Sequence, residues 1–353
     1  MAISERGSGT KNDPYIVSTV RELYDTIRAS WDNVGVRYID VDTDLDFNND
    51  PDFYECPSNF IQIDVYDGKT LIIDFKGHTL SNIFSANTEG SFLASGRDKH
   101  IMIKNAIIEA VLITTTGNTL FSQGSSDYSS YPLFVNCDFR IKYYIYSTYA
   151  YNCCIFTLTF LRNCVVNIDV FYTSNSYIFS DATGSSVVTF MPFRGLTGSG
   201  SSESFDGVNY RTISLYNEYN IRFIYIGTAD KDSDTINIFP IGGNNIAFSS
   251  IFITSISTSA KPPKIRIQTS SDNGFNNCFF VCKNTSQTLK SNFYFSYQNN
   301  TSVSGVNFYD AEVGDTVDFS KITSGTMLAL TTAQCKDAAF LESQGYIIAY
   351  DGS

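Results

Sequence analysis

The chain has little of what most enzymes use for chemistry. Among 353 residues there are two histidines, His78 and His100, and one tryptophan. A catalytic triad built on histidine, or a histidine-rich metal site, is therefore nearly excluded. Charged residues are scarce at 17%, against about 25% in an average soluble protein. Positive charge is the scarcer sign: 24 Lys and Arg face 36 Asp and Glu, a net charge of -12. Nucleic acid and anionic membrane surfaces select basic proteins, so neither is expected as a partner. No apolar run reaches the length of a membrane span. The first residues, Met1 to Asp13, lack an apolar core and a small-residue cleavage site. The reading is synthesis in a cytoplasm without a signal peptide. The eight cysteines are widely spread, and none of their spacings is a zinc pattern.

What is abundant is Tyr, Phe, Ser, Thr and Asn, a balance that favours strands and turns over helices. A loose six-residue pattern recurs: apolar, any, Asn/Gly/Ser, small or apolar, any, apolar. It reads Phe75 to Leu80, Ile103 to Ile108, Phe134 to Phe139 and Leu161 to Val166. It returns at Phe248 to Ile253, Phe275 to Phe280 and Val303 to Phe308, with a weaker copy around Asn220. The third positions, Gly77, Asn105, Asn136, Asn163, Asn220, Ser250, Asn277 and Gly305, are spaced by 27 to 31 residues apart from one step of 57. The long step reads as two repeats, with a skipped copy near Phe190.

A period of about 28 residues fits a coil of two or three short strands per turn, with turns stacked by backbone ladders. Equivalent positions then lie above one another. Cys137, Cys164 and Cys278 share a small inward slot with Ala106. The neighbouring Asn slot is a corner, because Asn tolerates the left-handed backbone that a sharp corner needs. Stacked amides can also hydrogen-bond along the column. The competing reading is a β-sandwich with coincidental spacing.

An open coil end is an exposed sheet edge and needs a cover. Thr19 to Glu22 is a capping box, followed by Val20, Leu23, Tyr24 and Ile27 at helical spacing. Thr331 to Gln334 is a second box, with Gly345 as the stop of a C-terminal helix. The expected fold is all-β: a single-stranded right-handed parallel β-helix of about 10 coils with a capping helix at each end. Residues 1–35 form the N-terminal segment and helix, 36–328 the β-helix, and 329–353 the C-terminal helix and tail. The Gly/Ser-rich stretch sets an excursion loop at about 192–209.

Gly7-Ser-Gly-Thr10, then Asp13-Pro-Tyr-Ile-Val17 and the helix, resembles the start of many pectate-lyase-like right-handed parallel β-helix proteins. Leu71-Ile-Ile-Asp-Phe-Lys-Gly-His-Thr-Leu80 resembles their first full coil, of the form I-D-G-x-G-H-T-I, with Phe75 and Lys76 replacing part of it. The segment from Thr332 to Gly345 resembles a C-terminal helix of proteins from Bacteroides and their phages. The resemblance implies a tail spike, adhesin, lyase or hydrolase, since this fold does not fix a function. The expectation is a structural phage virion protein of the tail, collar or baseplate region. It would be a spike- or fibre-like homotrimer, contacting other virion proteins and a host-surface glycan. The alternative is a virion-associated polysaccharide depolymerase, a lyase or glycoside hydrolase.

Three groups of residues stand out for chemistry. Asp42, Asp44 and Asp46 belong to an alternating run from Asp40; on one strand their carboxylates share a face that could take Ca²⁺, or simply a solvated face. Asp138 and Asp169 are candidate acids, with Arg140 and Lys142 on the face of Asp138; these could be a glycan site, a catalytic site or surface ion pairs. Tyr143, Tyr144, Tyr146, Tyr149 and Tyr151 form a cluster divided between core filling and contact with a ligand or partner.

Overall fold

The computed structural model describes residues 6–30, 35–53, 60–62, 69–86, 92–95, 99–114, 121–123, 132–145, 153–157, 159–173, 187–194, 204–205, 208–209, 217–226, 235–238, 246–247, 250–257, 264–269, 275–276, 279–284, 293–297, 307–310, 317–318 and 329–330. Strands dominate, and they form three large parallel sheets of six, ten and nine strands. The chain visits these sheets in a fixed cycle. Val36–Val41 belongs to the first sheet, Leu45–Asp46 to the second and Ile61–Gln62 to the third. The next round is Lys69–Asp74, Thr79–Ala86 and Leu93–Ser95. In the three large sheets neighbouring strands are equivalents from successive rounds and pair in parallel, so the fold is mostly β and parallel, as the period implied.

The repeat frame holds at its centre. Asn105, Asn136 and Asn163 have φ of 55°, 54° and 53°, the left-handed corner that the recurring Asn predicted. Their amides form a ladder. Asn163 donates to Asn136 at 2.7 Å, Asn136 to Asn105 at 3.2 Å, and Asn105 to the Asp74 carboxylate at 2.9 Å. Beside the corner, Ala106, Cys137 and Cys164 fill the buried inward slot. Each thiol donates to a carbonyl of the preceding round, Cys137 to Ile103 and Cys164 to Phe134, both at 3.6 Å. Burial pushes the Cys137 thiol well above its ordinary range. Cys278 lies outside the described residues.

Away from the centre the frame slips. Ile73, not Phe75, pairs with Ile103, while Leu80 pairs with Ile108. The first corner therefore carries two extra residues, and Lys76 and Gly77 both take positive φ to turn it. The step of 57 is not two repeats. Val165–Thr173 pairs directly with Glu218–Ile226, so one round carries a long insertion. Phe190 sits in the third sheet opposite Cys153. The strand Val187–Arg194 runs into the expected excursion, and Ser204–Phe205 pairs antiparallel with Val208–Asn209 within it. Register also places Asn220 opposite Asn167 and Ser250 opposite Glu218, so neither occupies the corner slot. Asn217 takes the inward slot above Cys164; it accepts from the Cys164 N–H at 2.9 Å and donates to the Leu161 carbonyl at 3.1 Å.

The N-terminal helix is Val20–Arg28. Thr19 caps it, accepting from the Glu22 N–H at 3.1 Å, and Glu22 reaches back to the Ser18 N–H at 2.7 Å. The first half of the capping box is made as expected, while the return bond goes one residue further upstream, to Ser18 instead of the N-cap Thr19. Val20, Leu23 and Ile27 are buried, and Tyr24 meets the rings of Phe53 and Phe60. Arg37, 2% exposed, closes the other end of the helix. Its guanidinium donates to the carbonyls of Thr26 at 2.6 Å, Ala29 at 3.2 Å and Ser30 at 2.5 Å. These are orphan acceptors at a helix terminus, which a buried cation satisfies at once. Upstream, Gly7 and Gly9 take φ of 86° and 74°. A Cβ on Gly7 would lie 1.9 Å from the Pro14 carbonyl oxygen, so this turn requires glycine. The C-terminal helix expected after Thr331 falls outside the described residues.

Asp74 anchors the amide ladder and is itself buried. Burial alone would raise its carboxyl. Hydrogen bonds from Asn105 and the Lys76 N–H, with the Lys104 ammonium at 3.0 Å, outweigh burial and hold it below the usual carboxylate range. A carboxyl lowered on folding adds stability above its unfolded pKa and loses it as pH falls through the folded pKa. Asp74→Ala should cost roughly 3 kcal/mol at neutral pH. The difference between wild type and variant should shrink below about pH 3, where unfolded Asp is protonated. Urea denaturation of both proteins at neutral and acid pH checks this.

Candidate functional site

The acidic run does not lie on one strand. The first-sheet strand ends at Val41, the chain turns through Asp42 to Asp44, and Leu45–Asp46 starts the second sheet. The carboxylates accordingly go to different partners. Asp42 accepts from Arg6 and Ser18, both at 2.7 Å. Asp44 accepts from the Thr79 N–H at 2.8 Å, and Asp46 from the Asn48 N–H at 2.9 Å and the Asn82 amide at 2.7 Å. The Ser18 hydroxyl foremost lowers the carboxyl of Asp42, and the Thr79 N–H that of Asp44. The shared face drawn from alternation is thus replaced by a corner. Among the described residues no group of three or more His, Cys, Asp or Glu side chains is placed to hold a metal ion.

The other candidates meet on the outer face of the second sheet, over the strands Ile107–Thr114, Asp138–Ile145, Val165–Thr173 and Glu218–Ile226. Parallel register aligns their outward residues into columns. One column runs Glu109, Arg140, Asn167, Asn220, and the next Val111, Lys142, Asp169, Arg222. Together they line an open groove of about 700 Å³. Arg140 spans Asp138, at 3.0 and 2.9 Å, and Glu109 at 3.1 Å. Arg222 grips Asp169 in a bidentate pair, both contacts at 2.6 Å. The hydrogen bond to Asp138 raises the Arg140 guanidinium, and that to Asp169 raises Arg222. A second amide ladder edges the groove: Asn220 donates to Asn167, and Asn167 to Asp138, each at 3.0 Å.

Asp138, Arg140 and Lys142 do share an outward face. Asp138 and Asp169, however, are not placed as a catalytic pair. Asp138 pairs with Val165, and Asp169 stands four residues further on. Strand geometry separates the two by about 14 Å, beyond the roughly 5–9.5 Å of paired glycosidase carboxylates. Each is also bound to its own arginine.

The tyrosine cluster divides by alternation. Tyr143 points inward and is fully buried, so it belongs to the core and not to a contact surface. Tyr144 points outward and stacks on Phe171, with centroids 4.7 Å apart and an interplanar angle of 11°. Tyr146, Tyr149 and Tyr151 lie outside the described residues. The sequence reading did not single out Glu109, Asn167 or Arg222. Period-two alternation in Asn220-Ile-Arg222 marks an outward pair, but the misplaced repeat frame hid the strand facing it.

Truncation separates the two tyrosines. Tyr143→Ala should cost about 4 kcal/mol, the price of emptying a buried aromatic site. Tyr144→Ala should cost about 1 kcal/mol, as for a half-exposed ring. Chemical denaturation of both variants measures the gap; equal losses would contradict the inward and outward assignment.

No family model and no curated protein matches the sequence. One solved structure, a Bacteroides ovatus protein provisionally described as an immunoglobulin A1 protease, is similar at 11% identity, covering 94% of this chain and 88% of that chain. The TM-score is 0.40, a likeness too distant to bear on activity.

Proposed function

We propose that the chain is a single-stranded right-handed parallel β-helix acting as a spike- or fibre-like structural component of a phage virion, with the groove as its attachment face for a host-surface glycan. The three-sheet cycle, repeated at the sequence period, supports the β-helix. The virion setting, in the tail, collar or baseplate region and after synthesis in the host cytoplasm, rests on the resemblance of both chain ends. The attachment role rests on one observation: polar and ion-paired columns run beside a stacked aromatic pair on a flat outer sheet. Sugars offer that surface hydroxyls for bidentate hydrogen bonds and apolar C–H groups for the outer edge of the ring stack. Binding without cleavage follows from the acids. Asp138 and Asp169 are held by arginines and stand far apart, so neither is poised to give or take a proton at one bond.

Incubation with host capsular or surface polysaccharide should give retention without turnover, measured as reducing ends and unsaturated uronate absorbance. Turnover that Asp138→Asn abolishes in a folded protein would replace this reading with a depolymerase.

The proposed spike is a homotrimer, because closed rotational symmetry is the usual way to cover the lateral face of such a rod. Sedimentation equilibrium should give three times the 39.3 kDa chain mass. A monomer at micromolar concentration would withdraw the trimer.

A further inference from the structure

The groove has three cations, and their engagement differs. Arg140 is shared between Asp138 and Glu109, and Arg222 is bound at two points by Asp169. Lys142 faces Asp169 across the ladder, yet that carboxylate turns to Arg222 on the opposite strand. Among the described residues, Lys142 is exposed and no carboxylate engages it. It projects into the groove with one ammonium, three donors and no fixed acceptor. Two residues along the same strand, about 7 Å away, stands Tyr144 with Phe171 stacked against it. That spacing matches one pyranose ring set against the outer edge of the aromatic pair with a charged substituent over Lys142.

Resting on the glycan reading above, we propose that the groove takes an acidic sugar, with Lys142 as counter-ion to its anionic substituent and the exposed edge of the Tyr144–Phe171 stack, just beyond the groove, as an apolar flank for the ring. The arginine–carboxylate groups leave outward lone pairs and N–H groups for neighbouring hydroxyls; Arg222 and Asp169 cancel, while Arg140 stands between two carboxylates, so both arginines are engaged and Lys142 is the cation left to meet a ligand. A neutral sugar satisfies the apolar flank and the arginine–carboxylate groups but leaves the ammonium with water alone. An anion adds a charge-assisted hydrogen bond at that point. The group can be a carboxylate or a sulfate, which ask the same of an ammonium.

The test uses the full chain and three tetrasaccharides in calorimetric titrations: a hyaluronan fragment for the carboxylate, a carrageenan fragment for the sulfate, and maltotetraose as the neutral control. At least one acidic probe should bind about tenfold or more tighter than the neutral one. Added salt should narrow that preference. Which acidic probe is retained identifies the charged group. Lys142→Gln, a surface change, should abolish the preference, Lys142→Arg should keep it, and Tyr144→Ala should weaken all binding. If neutral and acidic probes bind alike, or Lys142→Gln leaves the preference intact, this inference fails while attachment to glycans stands. If no probe binds, and none of the host's own glycans binds either, the inference and the attachment role fall together.

Discussion

In a stack of parallel strands every backbone N–H and C=O must be answered by the neighbouring round, and that demand sets the rest of this structure. The neighbour of a residue in space is its counterpart one round away in sequence. The corner N–H of Asn105 bonds the Val135 carbonyl at 3.0 Å, and that of Asn136 the Arg162 carbonyl at 3.0 Å. Once the ladders are fixed, side chains have no choice of column. Small residues collect where the wall turns inward, and Asn collects where the backbone turns left-handed. The two ladders of side-chain amides follow from the same register.

That constraint explains what was legible in the sequence. The slot shared by Ala106, Cys137 and Cys164 was readable because its chemistry is monotonous: small, inward and uncharged. The Asn corner was readable because few residues accept positive φ. The capping box at Thr19 and Glu22 was readable because it is local. What failed was whatever depended on counting across an insertion. The first corner gained two residues, and the round after Val165 gained a long excursion, while the backbone ladder on either side was preserved. A period fitted to sequence averages over such events; hydrogen bonds do not. Asn217 shows the cost: a polar residue in the inward slot breaks the pattern, and its partners, the Cys164 N–H and the Leu161 carbonyl, are visible only in space.

The candidate site was half legible for a related reason. Alternation along one strand gave Asp138, Arg140 and Lys142 a common face, but the tyrosine cluster stayed undivided until burial sent Tyr143 to the core. Alternation could not tell which strand lies alongside. The partner of Asp169 is Arg222, 53 residues later, and that pairing turns two candidate acids into separate ion pairs. The acidic run failed differently. Alternation was extrapolated through Asp42 to Asp44, where the chain leaves one sheet for another, and a corner scatters the side chains that a strand would align.

The column from Asp74 to Asn163 also has a sense. A carboxylate only accepts, so Asn105 must turn its amide nitrogen toward Asp74 and its oxygen onward; Asn136 and Asn163 inherit the same orientation. Three amide dipoles are thereby aligned along the stacking direction by one terminal charge, as peptide dipoles align along a helix. The corner of the fold is polar lengthwise, its positive ends gathered at the first rounds and its carbonyl oxygens directed to the later ones. A group that extends the column past Asn163 meets an acceptor, so the direction of winding is written into hydrogen-bond polarity as well as into backbone topology.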